Sequence, residues 1–94
     1  MILMNFEFTL NAWDDFEFWM KHDQEIVLKI KDLLNDIKRN PFQGLGKPEP
    51  LRFDVKGYWS RRITGEHRLV YKIEGTKGKN QKCYILQCRY HYDN

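Results

Sequence analysis

Several motifs that define large enzyme classes are missing from this sequence. No Gly-x-Gly-x-x-Gly or Walker loop is present, and the Gly44–Lys47 segment runs into Pro48 instead of a helix. No Cys-x-x-Cys or His-x-x-x-His spacing occurs. Cys83 and Cys88 are five residues apart, which on a strand would place them on opposite faces, so a shared zinc ion or disulfide is not expected. We therefore predict an activity that uses neither a metal ion nor a cofactor.

Long apolar runs are missing as well. No stretch approaches the roughly 20 residues that a bilayer span requires, and the first four residues lack the basic and apolar regions of a secretion signal. We therefore expect a cytoplasmic protein with no membrane partner. The 94 residues are 41% hydrophobic and 15% aromatic, which is enough apolar material for a folded core. A single domain spanning residues 1–94 is predicted.

Charge is distributed unevenly along the chain. Residues 1–41 carry five Lys or Arg and eight Asp or Glu, a balance of −3, whereas residues 42–94 carry eleven and five, a balance of +6. The C-terminal half is therefore where a polyanion would be expected to bind. An uneven split in so short a chain can also arise by chance.

In the N-terminal half, apolar residues recur first with the period of a strand and then with the period of a helix. Residues 2–9 alternate between apolar and polar, which predicts a strand. Asn11 and Asp23 are predicted to cap two successive helices, the second of which ends at Asn40 before a proline. Helical spacing leaves Asp36, among other charged residues, for solvent. It predicts the following buried side chains: Ile26, Val27, Ile30, Leu33, Leu34 and Ile37, with some of Trp13, Phe16, Trp19 and Met20.

The C-terminal half returns to a period of two after a proline-rich loop. Strands are predicted at residues 51–55, 58–63, 67–73 and 82–90. The order is then β-α-α-β-β-β-β, in which a two-helix hairpin covers one face of a twisted, mainly antiparallel sheet, an α+β fold. Leu69 and Tyr71 have the parity of the core-facing side, so Arg68 is predicted on the uncovered face.

The uncovered face is predicted to collect groups that could act on a phosphodiester. These are Arg52, Arg61 or Arg62, Arg68, Arg89 or Tyr90, His91 and Tyr92. Glu49 adds a carboxylate from the preceding loop. RNA carries its own nucleophile, the 2′-hydroxyl, so its cleavage needs a base, an acid and cations beside the phosphate. The same residues also fit plain structural roles: Glu49 as a turn cap, Arg68 as an exposed strand charge and His91 as a solvated tail residue.

Four segments in this order indicate a family. They read Asn40–Leu51 (NPFQGLGKPEPL), Gly57–Thr64 (GYWSRRIT), Glu66–Tyr71 (EHRLVY) and Cys88–Tyr92 (CRYHY). Together with the Trp13-Asp-Asp and Ile26-Val segments, they make the chain similar to the YoeB toxins of bacterial type II toxin–antitoxin systems, within the RelE superfamily, over about residues 3–92. The resemblance implies a RelE-like fold and a ribosome-dependent mRNA endoribonuclease that cuts in the A-site codon and so inhibits translation.

The resemblance also implies roles for individual residues. Glu49 matches the family's general base, His91 its general acid, Arg68 its transition-state arginine and Tyr92 the tyrosine that helps to place the substrate. Basic positions that match RNA-binding sites are Lys47, Arg52, Arg62 and Arg89. The implied partners are a YefM-type antitoxin, the ribosome with its A-site mRNA, and a second copy of the chain in a homodimer.

Two other functions stay open at this point. One is a binding module of the same fold that occludes RNA or the ribosome without cutting, and the other is a general ribonuclease that acts on naked RNA. The presence of both Glu49 and His91 favours an enzyme over a binding module. The implied use of the ribosome to hold the strand in line favours cleavage of ribosome-bound mRNA over naked RNA.

Overall fold

A five-stranded sheet and two long helices make up residues 4–90, the part of the chain that this computed structural model describes. In chain order the elements are β1 (Met4–Phe8), α1 (Leu10–His22), α2 (Gln24–Arg39), β2 (Glu49–Pro50), a short 3₁₀ helix (Phe53–Val55), β3 (Trp59–Arg62), β4 (Arg68–Glu74) and β5 (Gln81–Gln87). The predicted α+β fold and the order of its main elements are confirmed. Neither helix of this described part is long and apolar enough to cross a membrane.

Each helix begins at a capping side chain. Asp23 caps α2 as predicted, and α2 ends immediately before Asn40. The predicted cap of α1 is wrong, because Asn11 lies inside the helix and Thr9 is the N-cap. The Thr9 Oγ1 accepts a hydrogen bond from the N–H of Ala12 at 3.0 Å and donates to a carbonyl of β5 at 3.0 Å. The cap therefore also ties the start of α1 to the sheet.

The sheet has the strand order β1-β5-β4-β3-β2. Strands β2 to β5 form the predicted antiparallel meander, and β1 lies parallel to β5 at one edge. Strand β2 is only two residues long and forms the other edge. The predicted strand at 51–55 is wrong, because residue pairing occurs two residues earlier and residues 53–55 form the 3₁₀ helix.

Both helices pack on one face of the sheet. The buried residues of this core are Ala12, Trp19, Ile30, Leu33, Ile37, Ile63, Leu69, Tyr71, Cys83, Ile85 and Cys88. The predicted apolar stripe of α2 is thereby confirmed. The prediction that Asp36 faces solvent is wrong: Asp36 is 8% exposed, because its carboxylate is turned to Arg61 of β3.

The opposite face of the sheet, here called the helix-free face, is only partly open. Residues 51–58 fold back over it, so that Leu51, Val55 and Tyr58 pack on Val70 of β4 and on Leu86 of β5. The prediction of an entirely uncovered face is therefore wrong for this half of the sheet. The covering segment follows β2 directly and leaves Glu49 and Arg62 exposed beside it.

The two cysteines both belong to the helix-covered core, so their predicted placement on opposite faces is wrong. An irregularity in the register of β4 and β5 explains the difference. Val70 pairs with Gln87, whereas Tyr71 pairs with Ile85, so one extra residue of β5 bulges between them. The bulge shifts the parity of every residue that follows it.

Candidate functional site

The register of the sheet brings three predicted site residues to the helix-free face. Glu49 of β2 pairs with Ser60 of β3, and Arg62 of β3 pairs with Arg68 of β4. Directly paired residues share a face, and so do residues two apart on one strand. Glu49 and Arg62 are therefore diagonal neighbours, whose Cα atoms are expected to lie about 7–8 Å apart. A carboxylate and two guanidinium groups thus lie on one surface, as the sequence predicts for Arg68.

Arg62 and Arg68 form a cross-strand pair of like charge. Side chains directly opposite on antiparallel strands have their Cβ atoms about 5 Å apart, and like charges in such pairs are destabilising. Within residues 4–90, no Asp or Glu forms a salt bridge with either arginine. The pair is therefore a place where an anion that accepts from both guanidinium groups would relieve repulsion.

Arg68 is held in place by the turn that precedes its strand. It is only 8% exposed, so it is not the exposed strand charge that its position allows. Its Nη1 donates to the carbonyl groups of Thr64 at 2.9 Å, Gly65 at 3.3 Å and His67 at 3.2 Å. Among residues 4–90 these are the hydrogen bonds of its guanidinium. The fixed Nη1 orients the group, whereas Nε and Nη2 form no hydrogen bond with any residue of the described range.

The remaining basic residues near Glu49 lie on exposed loop backbone. Lys47 is exposed and has a positive φ of 50°, directly after Gly46, which also has a positive φ. The Gly46 carbonyl accepts from the N–H of Arg62 at 2.7 Å. Arg52 is exposed at the start of the 3₁₀ helix. Lys47 and Arg52 therefore flank the edge strand that carries Glu49.

The loop before Glu49 is held by a buried charged cluster that the sequence did not predict. The Arg61 side chain is fully buried, and it donates to Asp36 Oδ2 at 2.6 Å and to the Tyr71 hydroxyl at 3.1 Å. It also donates to three loop carbonyls, those of Asn40, Gln43 (2.9 Å) and Leu45 (3.1 Å). We call Arg61, Asp36 and Tyr71 the loop clamp. Of the two arginines left open by the sequence, Arg62 is therefore the one that faces the site.

The electrostatics of the loop clamp favour the ion pair. Because Arg61 donates a hydrogen bond to it, the pKa of the Asp36 carboxyl lies below its usual value. Burial raises the pKa of the Tyr71 hydroxyl, which stays protonated and donates to the carbonyl of Pro41 at 2.6 Å. Asp36 Oδ2 also accepts from the N–H of Leu45 at 2.9 Å. Asp36 lies at the edge of the apolar stripe of α2, and that position is the signal by which its burial could have been found.

The C-terminal end of the described chain is fixed by a second set of hydrogen bonds. The carbonyl of Cys88 accepts from Trp19 Nε1 at 2.8 Å, and its N–H donates to Asp15 Oδ2 at 3.0 Å. The N–H of Tyr90 donates to His67 Nδ1 at 2.8 Å. We call Asp15, Trp19 and His67 the C-terminal clamp. Burial raises the pKa of the Asp15 carboxyl.

This clamp brings Tyr90, the last described residue, beside Arg68. The carbonyl of Tyr90 accepts from the N–H of Arg68 at 2.9 Å, and Tyr90 has a positive φ of 70°. His91 and Tyr92, the predicted acid and substrate-placing tyrosine, lie outside the described residues and stay predictions. Tyr90 is the residue immediately before them.

Arg89 is placed differently from the other predicted RNA-binding residues. Its guanidinium stacks over the ring of Phe18 in α1 at 3.5 Å from the centroid, and lies 4.6 Å from that of Tyr90. Arg89 lies beyond the end of β5, and its guanidinium contacts α1, whereas Glu49, Arg62 and Arg68 lie on paired strands of the sheet. Its role in RNA binding stays a prediction.

A thiolate nucleophile does not fit this chain's cysteines. Burial raises the pKa of both Cys83 and Cys88 to about 12, so both are protonated thiols at neutral pH. Cys88 is a small buried apolar residue, as predicted. The chemistry of the helix-free face is therefore that of an exposed carboxylate next to paired guanidinium groups. This set can accept a proton and stabilise an anion.

Comparison with known proteins identifies a family. A family model described as a YoeB-like toxin of a bacterial type II toxin–antitoxin system matches residues 8–92. Toxin YoeB of Escherichia coli strain K12 is 49% identical over 81 residues, which cover 86% of this chain and 90% of that protein.

Solved structures give the same answer. A YoeB/ParE toxin from Agrobacterium tumefaciens is 54% identical, with a TM-score of 0.89 over 95% of this chain and all of that one. YoeB from Staphylococcus aureus, solved as a dimer, is 41% identical with a TM-score of 0.84, over 98% of this chain and all of that one. A heterotetrameric YoeB–YefM complex from the same organism is also 41% identical, with a TM-score of 0.83 over 95% of this chain and 98% of that one.

Proposed function

The chain belongs to the YoeB-like toxins of bacterial type II toxin–antitoxin systems, and we propose that it is an endoribonuclease that cleaves mRNA in the ribosomal A site. The observation that carries the proposal is the placement of Glu49 on the same sheet face as Arg62 and Arg68, with which no carboxylate of residues 4–90 forms a salt bridge. A base beside a cationic cradle is what an internal transesterification of RNA requires.

In the proposed reaction, Glu49 removes the proton of a 2′-hydroxyl. The 2′-oxygen attacks the adjacent phosphorus, and the bond from phosphorus to the 5′-oxygen of the next nucleotide breaks. His91 gives its proton to that leaving oxygen. The products are a 2′,3′-cyclic phosphate, which can open to a 3′-phosphate, and a 5′-hydroxyl end. Because the nucleophile belongs to the RNA, the step needs no activated water.

Arg68 and Arg62 have different electrostatic roles in the proposed reaction. Arg68 is held by Nη1 and offers its remaining donors to the phosphate oxygens, whose charge grows in the transition state. Arg62 is exposed and paired with it, so it contributes to binding of the ground-state phosphate as well. Lys47, Arg52 and Arg89 bind the RNA backbone to either side, and Tyr92 helps to place the substrate.

The partners of this chain are proposed from its relatives. A YefM-like antitoxin would neutralise the basic face, since the YoeB of Staphylococcus aureus forms a complex with YefM. Homodimer formation is proposed on the same ground, because that YoeB has also been solved as a dimer. The ribosome would hold the mRNA strand so that the 2′-oxygen lies in line with its phosphate.

The test is 5′-end mapping of an mRNA after addition of the purified protein to translating ribosomes, with the same mRNA free of ribosomes beside it. We expect cleavage within the A-site codon in the ribosome arm alone, with 5′-hydroxyl ends that need phosphorylation before ligation. Intact mRNA in both arms would favour the binding module. Equal cleavage of the naked mRNA would favour a general ribonuclease, and 5′-phosphate ends would contradict attack by the 2′-hydroxyl.

A further inference from the structure

We infer that Arg61 is a positioning residue for the base Glu49, acting through the loop clamp on the segment that leads into β2. The inference rests on the proposed function, because it assigns Glu49 the role of the base. Arg61 itself cannot touch the substrate, since its side chain is fully buried on the helix-covered face of the sheet.

The position of Glu49 is poorly determined by its own strand. Strand β2 has two residues and lies at the edge of the sheet, so only Glu49 and Pro50 pair with β3. The preceding residues 40–48 form no helix or strand. A stretch of this kind adopts one conformation only when other groups determine it.

Arg61 fixes the conformation of this loop by donating hydrogen bonds to its carbonyl groups. Its guanidinium holds three of them, and Tyr71, which accepts from Arg61, holds a fourth at Pro41. Asp36 holds the N–H of Leu45 as well as the guanidinium. The last fixed point of the clamp, Leu45, is therefore four residues from Glu49. A planar guanidinium with five donors can satisfy such a set, whereas the ammonium of a lysine cannot.

The fit around this cluster leaves little freedom. Gly44 and Gly46 both have positive φ angles, and a Cβ on Gly44 would overlap Asp36 Oδ2. A Cβ on Gly46 would lie 3.0 Å from the carbonyl oxygen of Arg62. The loop thus passes close to both the clamp and β3. A shift at Arg61 would be passed on to the backbone that carries Lys47 and Glu49.

The neighbouring arginines of β3 consequently have different tasks. Arg62 points to the helix-free face and pairs with Arg68, whereas Arg61 points to the core and pairs with Leu69. Loss of Arg62 is expected to weaken RNA binding. Loss of Arg61 is expected to lower the rate of the chemical step at saturating ribosomes, because displacement of a reacting group by about 1 Å can cost on the order of 100-fold.

The experiment measures single-turnover cleavage at saturating programmed ribosomes for Arg61→Lys, alone and combined with Glu49→Gln. Tyr71→Phe, which removes one acceptor and one donor of the clamp, is a milder second variant that keeps the result interpretable if Arg61→Lys unfolds. Arg62→Lys serves as the control. Circular dichroism and a thermal melt establish that each variant is folded.

We expect Arg61→Lys to lose about 10-fold to 100-fold in rate, and Tyr71→Phe a smaller factor, with ribosome affinity nearly unchanged. In the Glu49→Gln background both losses should shrink to less than about twofold, because the base is no longer there to be positioned. Arg62→Lys should instead weaken ribosome affinity, and by the same factor in both backgrounds. The inference would be overturned if Arg61→Lys and Tyr71→Phe lowered the rate as much in the Glu49→Gln background as they do when Glu49 is present. It would also be overturned if both variants cleaved at the wild-type rate when Glu49 is present. A wild-type protein that leaves the mRNA intact would overturn the proposed function and this assignment with it.

Discussion

The loop clamp and the C-terminal clamp hold the two ends of the candidate site by different means. In each, a buried aspartate accepts a backbone N–H from a segment that leads to a proposed catalytic residue: Asp36 from Leu45, and Asp15 from Cys88. Asp36 also faces the guanidinium of Arg61, and its pKa is lowered. Asp15 accepts no hydrogen bond from a cation within the described chain, and burial raises its pKa. What faces a buried carboxylate therefore decides the sign of its pKa shift.

The largest expected effect comes from breaking the loop clamp. Arg61→Met leaves Asp36 without its buried partner, and removal of one member of such a pair costs about 3–5 kcal/mol in the free energy of unfolding. Arg39→Met is the matched control, because Arg39 lies 3.8 Å from the same carboxylate but is 68% exposed. It should cost less than about 1 kcal/mol. Urea unfolding of both variants measures the difference, and equal losses would contradict the account.

A second way to disturb the loop clamp is a substitution at Gly44, which lies against Asp36. Gly44→Ala places a Cβ against Asp36 Oδ2 at a positive φ, whereas Gly57→Ala meets nothing within 4 Å at a similarly positive φ. Both should lose about 1–2 kcal/mol from the backbone conformation. Gly44→Ala should lose about 1–3 kcal/mol more from the overlap. If the two variants unfold at the same urea concentration, the close approach of loop and clamp is not what the structure indicates.

The C-terminal clamp should tolerate disturbance better, because its hydrogen bonds are not centred on a buried ion pair. Trp19→Phe leaves the carbonyl of Cys88 without its donor, a loss of about 1–3 kcal/mol. Trp13→Phe, at a half-exposed position of the same helix, should change stability by less than about 0.5 kcal/mol. Thermal melts of the two variants make the comparison, and a larger effect at Trp13 would count against it.

The smallest effect is the pH dependence, and its sign differs between the clamps. The lowered pKa of Asp36 adds stability above about pH 4 that is lost as pH falls through the folded value. The raised pKa of Asp15 lowers stability at neutral pH, because the folded protein disfavours the ionised carboxylate. Stability is regained as the pH falls through the folded pKa and the carboxyl is protonated.

Unfolding of Asp36→Asn and Asp15→Asn in urea between pH 3 and pH 6 isolates each contribution as a difference in unfolding free energy from the wild type. Acidification should reduce the difference in unfolding free energy between Asp36→Asn and the wild type. It should raise the stability of the wild type relative to Asp15→Asn. The same sign for both variants would contradict the comparison.

What the sequence could predict follows from how local each signal is. The stripe of α2 and its Asp23 cap depend on neighbouring residues, and both are confirmed. The face of Arg68 follows from the parity of a single strand. Arg61 has the parity of Trp59 and Ile63, which pack in the core. Arginine is rarely fully buried, so the sequence left Arg61 and Arg62 open as the site residue.

The missed features depend on partners that are distant in the sequence. Asp36 and Arg61 are 25 residues apart, and no periodicity connects a helix edge to a strand. The bulge that places Cys88 in the core likewise depends on the pairing of β4 with β5. The roles of Glu49, His91 and Tyr92 came from the family resemblance, because a residue type in a loop or tail does not reveal its chemistry.

The measurement that tests the central proposal most directly is the single-turnover rate of Glu49→Gln on saturating programmed ribosomes. Glu17→Gln, a change at an exposed carboxylate of α1, is the matched control. Loss of a general base should slow cleavage by about 100-fold to 10,000-fold while ribosome affinity stays nearly constant. Glu17→Gln should cleave at the wild-type rate. Cleavage by Glu49→Gln at the wild-type rate would contradict the assignment of Glu49 as the base and with it the proposed site.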